Sequence, residues 1–125
     1  MAISKAERNQ AIEKLLSALT SLRGVTAAAI VDGDGFVTHI RRDFEIDVDA
    51  LGAAVQIVYS SAQRASANVN QGDAGIVLSE NKEGLVMLAP FGKGFLLAIV
   101  ADKEVMLGAV RFEVKETVED LNKLF

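Results

Sequence analysis

Three apolar runs follow one another in the second half of the chain: "AGIVLSE" (74–80), "GLVMLAP" (84–90) and "GFLLAIVA" (94–101), joined only by "NKEG" and "FGKG". Gly, Asn and Lys in such short joints suit tight turns, so the runs predict a meander of antiparallel strands. A sheet with one wet face would alternate apolar and polar residues. These runs are nearly continuous in apolar residues, so both faces of their sheet need cover. That requirement restricts the chain to a layered fold with helices on each side of a sheet.

The rest of the sequence supplies the cover. Ser4 followed by Glu7 has the spacing of a capping box, and Ile12, Leu15, Leu16, Leu19 and Leu22 then fall on one helical stripe ending near Gly24, so a first helix is expected over 4–22. "VTAAAIV" (25–31) and "FVTHIR" (36–41) read as two strands of a hairpin. Asp47 then suits the N-cap of a second helix, from about Val48 to Val69. After Asp102, Leu107, Val110, Val114, Val118, Leu121 and Phe125 form the stripe of a third amphipathic helix. The expected fold is one α+β domain over residues 1–125, of order αββαβββα: a five-stranded antiparallel sheet with helices on both faces, of profilin-like type.

Three helices cannot cover two faces equally. With the first and last on one face, the second stands alone on the other, and that helix is apolar over an unusual share of its circumference. Val48, Leu51, Val55, Val58, Ala62, Ala65 and Val69 form one stripe; Ala50, Ala54, Ile57 and Ser61 form another beside it. Gln56, Ser60, Gln63 and Asn70 are left on a narrow polar strip. A symmetric dimer, in which two copies of the helix pack together, answers both problems, so a homodimer is expected from patterning alone.

Motifs that could carry chemistry fail on local context. Read as a calcium loop from Asp32, "DGDG" (32–35) places Phe36 at the fifth position, Val37 at the sixth and Asp43 at the twelfth, where ligands or glycine are required. Read as a dinucleotide fingerprint, it meets Thr38 in place of the third glycine and is followed by a strand. A turn is the better account. "FGKGF" (91–95) lacks the glycine of a phosphate loop at Met87 and the hydroxyl residue at Gly94, and also reads as a turn. His39 is the sole histidine, expected on one strand face with Val37 and Arg41 and without partners for a metal site. Ser60 and Ser61 lack a base that would make either a nucleophile. "RRD" (41–43) reads as a solvated strand end, while Glu45 and Asp47 lead into the second helix, where negative charge suits the N-terminus. No catalytic group, cofactor site or metal site is assembled, and a small-molecule sensor is disfavoured because no converging polar groups are visible.

Composition sets further bounds. The absence of cysteine excludes disulfides, zinc–thiolate sites and thiol nucleophiles. A net charge of −4 argues against nucleic acid as a partner. No apolar run reaches the roughly 18–20 residues of a membrane span, and "MAISKAERNQ" has no signal-peptide core, so a soluble cytoplasmic protein is expected.

Taken together, the order of these segments resembles the Roadblock family, in particular its MglB-like branch. "LRGVTAAAIVDGDGFVTHI" (22–40) is similar to the family's opening, with a helix, a Gly-Val turn, a strand of small residues and an Asp-Gly hairpin. "GFLLAIVADKEVMLGAVRFEVKETVEDLNKLF" (94–125) resembles its last strand, polar turn, Leu-Gly helix entry and amphipathic end. The likeness runs from Leu15 to Leu124 and rests on order and spacing, since each motif is degenerate. It implies a homodimer in which third strands pair across a two-fold axis and second helices pack together. That would place Ile76, Val77, Leu78, Ser79 and Glu80, with Val48, Leu51, Val55, Val58 and Ala62, at the dimer interface. It also implies a non-enzymatic regulator or scaffold of a small Ras-like GTPase (MglA-like), or alternatively an adaptor of dynein-light-chain type without nucleotide sensing. The expected partner contacts are Asp49, Gln56, Ser60, Gln63 and Arg64 on the second helix. Any stimulation of hydrolysis would come from positioning the GTPase's own groups.

Overall fold

The computed structural model describes residues 3–125. Helix α1 (Lys5–Thr20) leads to strands β1 (Val25–Val31) and β2 (Val37–Arg42). Helix α2 (Val48–Asn68) is followed by β3 (Val77–Asn81), β4 (Gly84–Phe91) and β5 (Phe95–Asp102), and α3 (Leu107–Leu124) closes the fold. The order is αββαβββα, as expected. All strands pair antiparallel in the spatial order β2-β1-β5-β4-β3, so β1 and β5 are inner neighbours and β2 and β3 are the two edges.

The start of α1 follows from its sequence. Ser4 Oγ accepts a hydrogen bond from the Glu7 N–H at 3.1 Å, and the Glu7 carboxylate accepts one from the Ser4 N–H at 3.2 Å, which satisfies two free donors of the first turn. Its end corrects an expectation. The helix stops at Thr20, two residues short of Leu22, and Gly24 is not its C-cap. Ser21 is the cap, and the Thr20 and Ser21 hydroxyls donate to the carbonyls of Leu16 and Ser17, so the last turn needs no left-handed glycine. Gly24 instead allows a close approach of two chain segments, since its φ is +87° and a Cβ there would strike the backbone of Val105.

Helices α1 and α3 share one face. Ile12, Leu16 and Leu19 of α1 and Val110, Val114 and Leu121 of α3 pack on Ile30, Met87, Leu97 and Ile99 of the sheet. Each such fully buried side chain contributes about 1.5–3 kcal/mol. Helix α2 lies alone on the opposite face over a smaller cluster of Val31, Val55, Leu88, Leu96 and Ala98. The unequal cover inferred from the sequence is therefore present.

"DGDG" is a turn. The Asp32 carboxylate accepts from the N–H groups of Asp34 and Phe36 at 2.9 and 3.0 Å, closing the β1–β2 loop. Strand β2 departs from simple alternation: the β1–β2 register shifts between Ile30 and Val31, so Val37 packs under α2 while His39, opposite Ile30, reaches Asn9 of α1. The expectation that Val37 and His39 share a face is thus overturned by one bulge. Likewise, β3 begins at Val77, and Ile76 precedes the ladder, packed against the α1/α3 core.

Candidate functional site

Helix α2 presents the surface that its own fold leaves unpartnered. Asp47 caps it, its carboxylate accepting from the Ala50 N–H at 3.1 Å. Gly52 and Val55 face inward, and Val55 is only 4% exposed. Val55, expected at an interface, belongs instead to the protomer's own core. Ile57, expected in the second apolar stripe, is 66% exposed, and Val58 is 46% exposed. Val48, Leu51 and Ala62 are half-buried along the same helix.

The flank of α2 toward β3 borders an apolar groove of about 200 Å³, lined by Leu51, Ala54 and Val58 of the helix and by Val77, Ser79 and Val86 of the sheet. Beside it runs the free edge of β3. The two sheet edges differ in chemistry. Strand β2 ends in Arg41 and Arg42, whose charges discourage pairing with another strand, and Arg42 donates to the Phe44 carbonyl. Strand β3 is "VLSEN", with a Ser79–Asn81 side-chain hydrogen bond of 2.8 Å and no basic residue. In β3, Val77 packs toward α2 and Leu78 toward the opposite core, while Ser79 and Glu80 are exposed. The groove, Val58 and the β3 edge thus form one continuous apolar and hydrogen-bonding border, and Ile57 is exposed next to Val58 on the helix.

The other flank of α2 is tied down by polar bonds. Gln56 donates through Nε2 to the carbonyls of Asp32 (2.7 Å) and Gly94 (3.2 Å), fastening the helix to both hairpins. Tyr59 donates to the Ala74 carbonyl at 2.6 Å. Gln63 accepts from the Ala74 N–H at 2.7 Å and donates to the Asp73 carboxylate at 2.9 Å. Of the five expected partner contacts, Gln56 and Gln63 are therefore committed within the protomer, whereas Asp49, Ser60 and Arg64 are exposed. Arg64 makes no ion pair among the described residues. A glutamine two turns from another looks the same in sequence whether it meets solvent or a loop; only the path of 70–76 decides.

Two groups titrate away from their ordinary values. Burial raises the pKa of Tyr59, and the neighbouring Asp73 carboxylate raises it further, so the phenol stays protonated and donating. Burial also lowers that of His39; Arg8 adds to this and Glu13 opposes it, which favours the neutral ring. Its Nε2 and Nδ1 lie 3.2 Å from Asn9 Oδ1 and 3.0 Å from Thr38 Oγ1. His39 fastens β2 to α1 on the face away from α2. Among the described residues no three His, Cys, Asp or Glu side chains come together in a way that could hold a metal ion, and no helix is long and apolar enough to cross a membrane.

Residues 11–101 match the family model of the Roadblock/LC7 domain. Solved structures with the same architecture include a Roadblock/LC7 domain from Streptomyces avermitilis, 23% identical with a TM-score of 0.81, covering 88% of this chain and 93% of that one. Myxococcus xanthus MglB is 18% identical with a TM-score of 0.86, over 92% of this chain and 94% of that one. An MglB with a tetrameric arrangement is 20% identical with a TM-score of 0.87, over 99% and 93%. No curated protein matches the chain in sequence.

Proposed function

The chain belongs to the Roadblock/LC7 family, and from that premise we propose that it is a non-enzymatic homodimeric regulator or scaffold that binds a small Ras-like GTPase of MglA type in the cytoplasm. The observation that carries this reading is the exposed Val58 beside the uncharged part of the β3 edge, with Ile57 exposed next to it on α2. A second copy of the chain would bury both at once, pairing β3 with β3 and α2 with α2 about a two-fold axis. The likeness in fold to MglB structures supports the choice of partner class.

In that dimer the remaining exposed residues of α2, chiefly Asp49, Ser60 and Arg64, meet the GTPase. Two helices side by side offer a composite surface that neither protomer has alone. Any effect on hydrolysis comes from holding the GTPase's own catalytic groups in place, since no residue here is singled out as an arginine finger.

The test is binding of the purified chain to a small Ras-like GTPase from the same cell, loaded in turn with GDP and with a GTP analogue. One nucleotide state is expected to bind about tenfold or more tightly than the other. Changing Asp49 and Arg64 together to alanine should weaken the preferred complex by about tenfold, or about 1.4 kcal/mol. Equal binding of the two states would favour an adaptor without nucleotide sensing, and no binding to either would remove the GTPase reading.

A further inference from the structure

On the flank of α2 opposite the apolar groove, the helix, the two hairpins and the 70–76 segment enclose a cleft of about 450 Å³. Gln56, Ser60 and Gln63 follow one another along this flank at i, i+4 and i+7, and they line the cleft with Tyr59 and Asp73. Its floor is apolar, with the side chains of Pro90 and Leu96 on the α2 side of the sheet. The lining is rich in acceptors left without a protein donor, for a definite reason. Both amide hydrogens of Gln56 go to main-chain carbonyls, leaving its Oε1 free, and the only hydrogen of Tyr59 goes to Ala74. Asp73 uses Oδ1 on Gln63, leaving Oδ2. The carbonyl of Gly94 retains a second lone pair. Lys93, at the tip of the β4–β5 hairpin, is not among the lining residues and forms no ion pair among those described.

We propose that this cleft receives an arginine side chain of the partner protein. An aliphatic stem fits the apolar floor, and a planar cation carrying five N–H donors matches spaced acceptors around one carboxylate. Tyr59 adds a ring face on which a guanidinium stacks. A lysine head offers three donors from a single point and is more strongly hydrated, which suits the dispersed acceptors less well. The cleft lies off the apolar border that a second copy would cover, so it stays open in a dimer. The proposal rests on the reading that α2 meets a partner protein, and it specifies part of that contact.

The test uses the isolated, isotope-labelled chain, so its failure leaves the nucleotide-state comparison standing, and the reverse also holds. Nα-acetyl-L-arginine methylamide is titrated while amide NMR signals are followed; Nα-acetyl-L-citrulline methylamide, of the same length but neutral, is the control. Expected are saturable shifts confined to Gln56, Tyr59, Ser60, Gln63 and Ala74, with a dissociation constant of about 1–10 mM, and none with citrulline. Asp73→Asn keeps an acceptor for Gln63 while removing the charge. It should weaken the arginine derivative about tenfold or more without changing the melting temperature. Equal shifts with citrulline, shifts scattered elsewhere, no shifts at all, or an unchanged affinity in Asp73→Asn would overturn the proposal.

Discussion

Replacing Gly52 by alanine is expected to destabilise the fold by about 3 kcal/mol or more, seen as a fall of about 10 °C or more in Tm. Gly52 is buried on the inner side of α2, where the helix crosses the β1–β2 hairpin. A Cβ there would collide with the carbonyl oxygen of Gly35 and come within 3.2 Å of Val37 Cγ2. Neither neighbour can retreat cheaply. Gly35 already sits at φ +87° in a loop closed by two bonds to the Asp32 carboxylate region, and moving α2 outward would break both Gln56 bonds and expose Val55. Gly108 provides the contrast: it lies in α3, and a methyl group added there would have nothing within 4 Å. Gly108→Ala should therefore be neutral or stabilising by up to about 1 kcal/mol. Thermal unfolding followed by circular dichroism reads both, and a Gly52→Ala protein that melts with the wild type would refute the close crossing.

Ile57→Asp should convert the proposed dimer to a monomer while leaving the protomer folded. Ile57 is 66% exposed, so an aspartate there costs the isolated protomer about 0.5 kcal/mol or less. In the proposed interface the same carboxylate is taken out of water without a partner, once in each subunit, and costs several kcal/mol in total. The dimer dissociation constant is expected to rise by about a thousandfold or more. Sedimentation equilibrium at low micromolar concentration should then give 13.3 kDa for Ile57→Asp and twice that for the wild type. A wild type at 13.3 kDa, or a mutant that stays dimeric, would remove α2 from the interface.

Much of this fold is legible in local sequence, because local chemistry determines it. The Ser4–Glu7 box, the Asp47 cap and the glycine turns at 32–35, 81–84 and 91–94 each satisfy backbone groups within a few residues. The nearly unbroken apolar strands forced cover on both faces, and hence the isolation of α2. What escaped was set by contacts distant in sequence. Gly24 serves the approach of Val105, 81 residues away, and imitates a helix cap only by its position. The bulge at Ile30 and Val31 separates Val37 from His39, because a slip of one residue reverses a face. On α2, two adjoining apolar stripes were visible, but which of them faces the sheet depends on Gly52 allowing close approach; Val55 therefore went inward and Ile57 outward. Gln56 and Gln63 read as free surface because their acceptors and donors lie on loops whose course no periodicity reveals. Asp73 and Tyr59 carried no signal beyond a loop acid and a helical aromatic.

The proposed pairing of β3 with its own copy can be tested directly, because the chain has no cysteine. Residues Val77 to Asn81 are changed one at a time to cysteine, with Thr38 on the β2 edge as a control, and each protein is oxidised at low micromolar concentration. Antiparallel pairing about a two-fold axis sets the residue nearest the axis against itself, with Cβ atoms about 4.5–5.5 Å apart, close enough for a disulfide after a small adjustment. A cross-linked species of twice 13.3 kDa should peak at one or two adjacent β3 positions and be missing for Thr38. Monomer at all five β3 positions, or cross-linking no stronger there than at Thr38, would contradict the pairing.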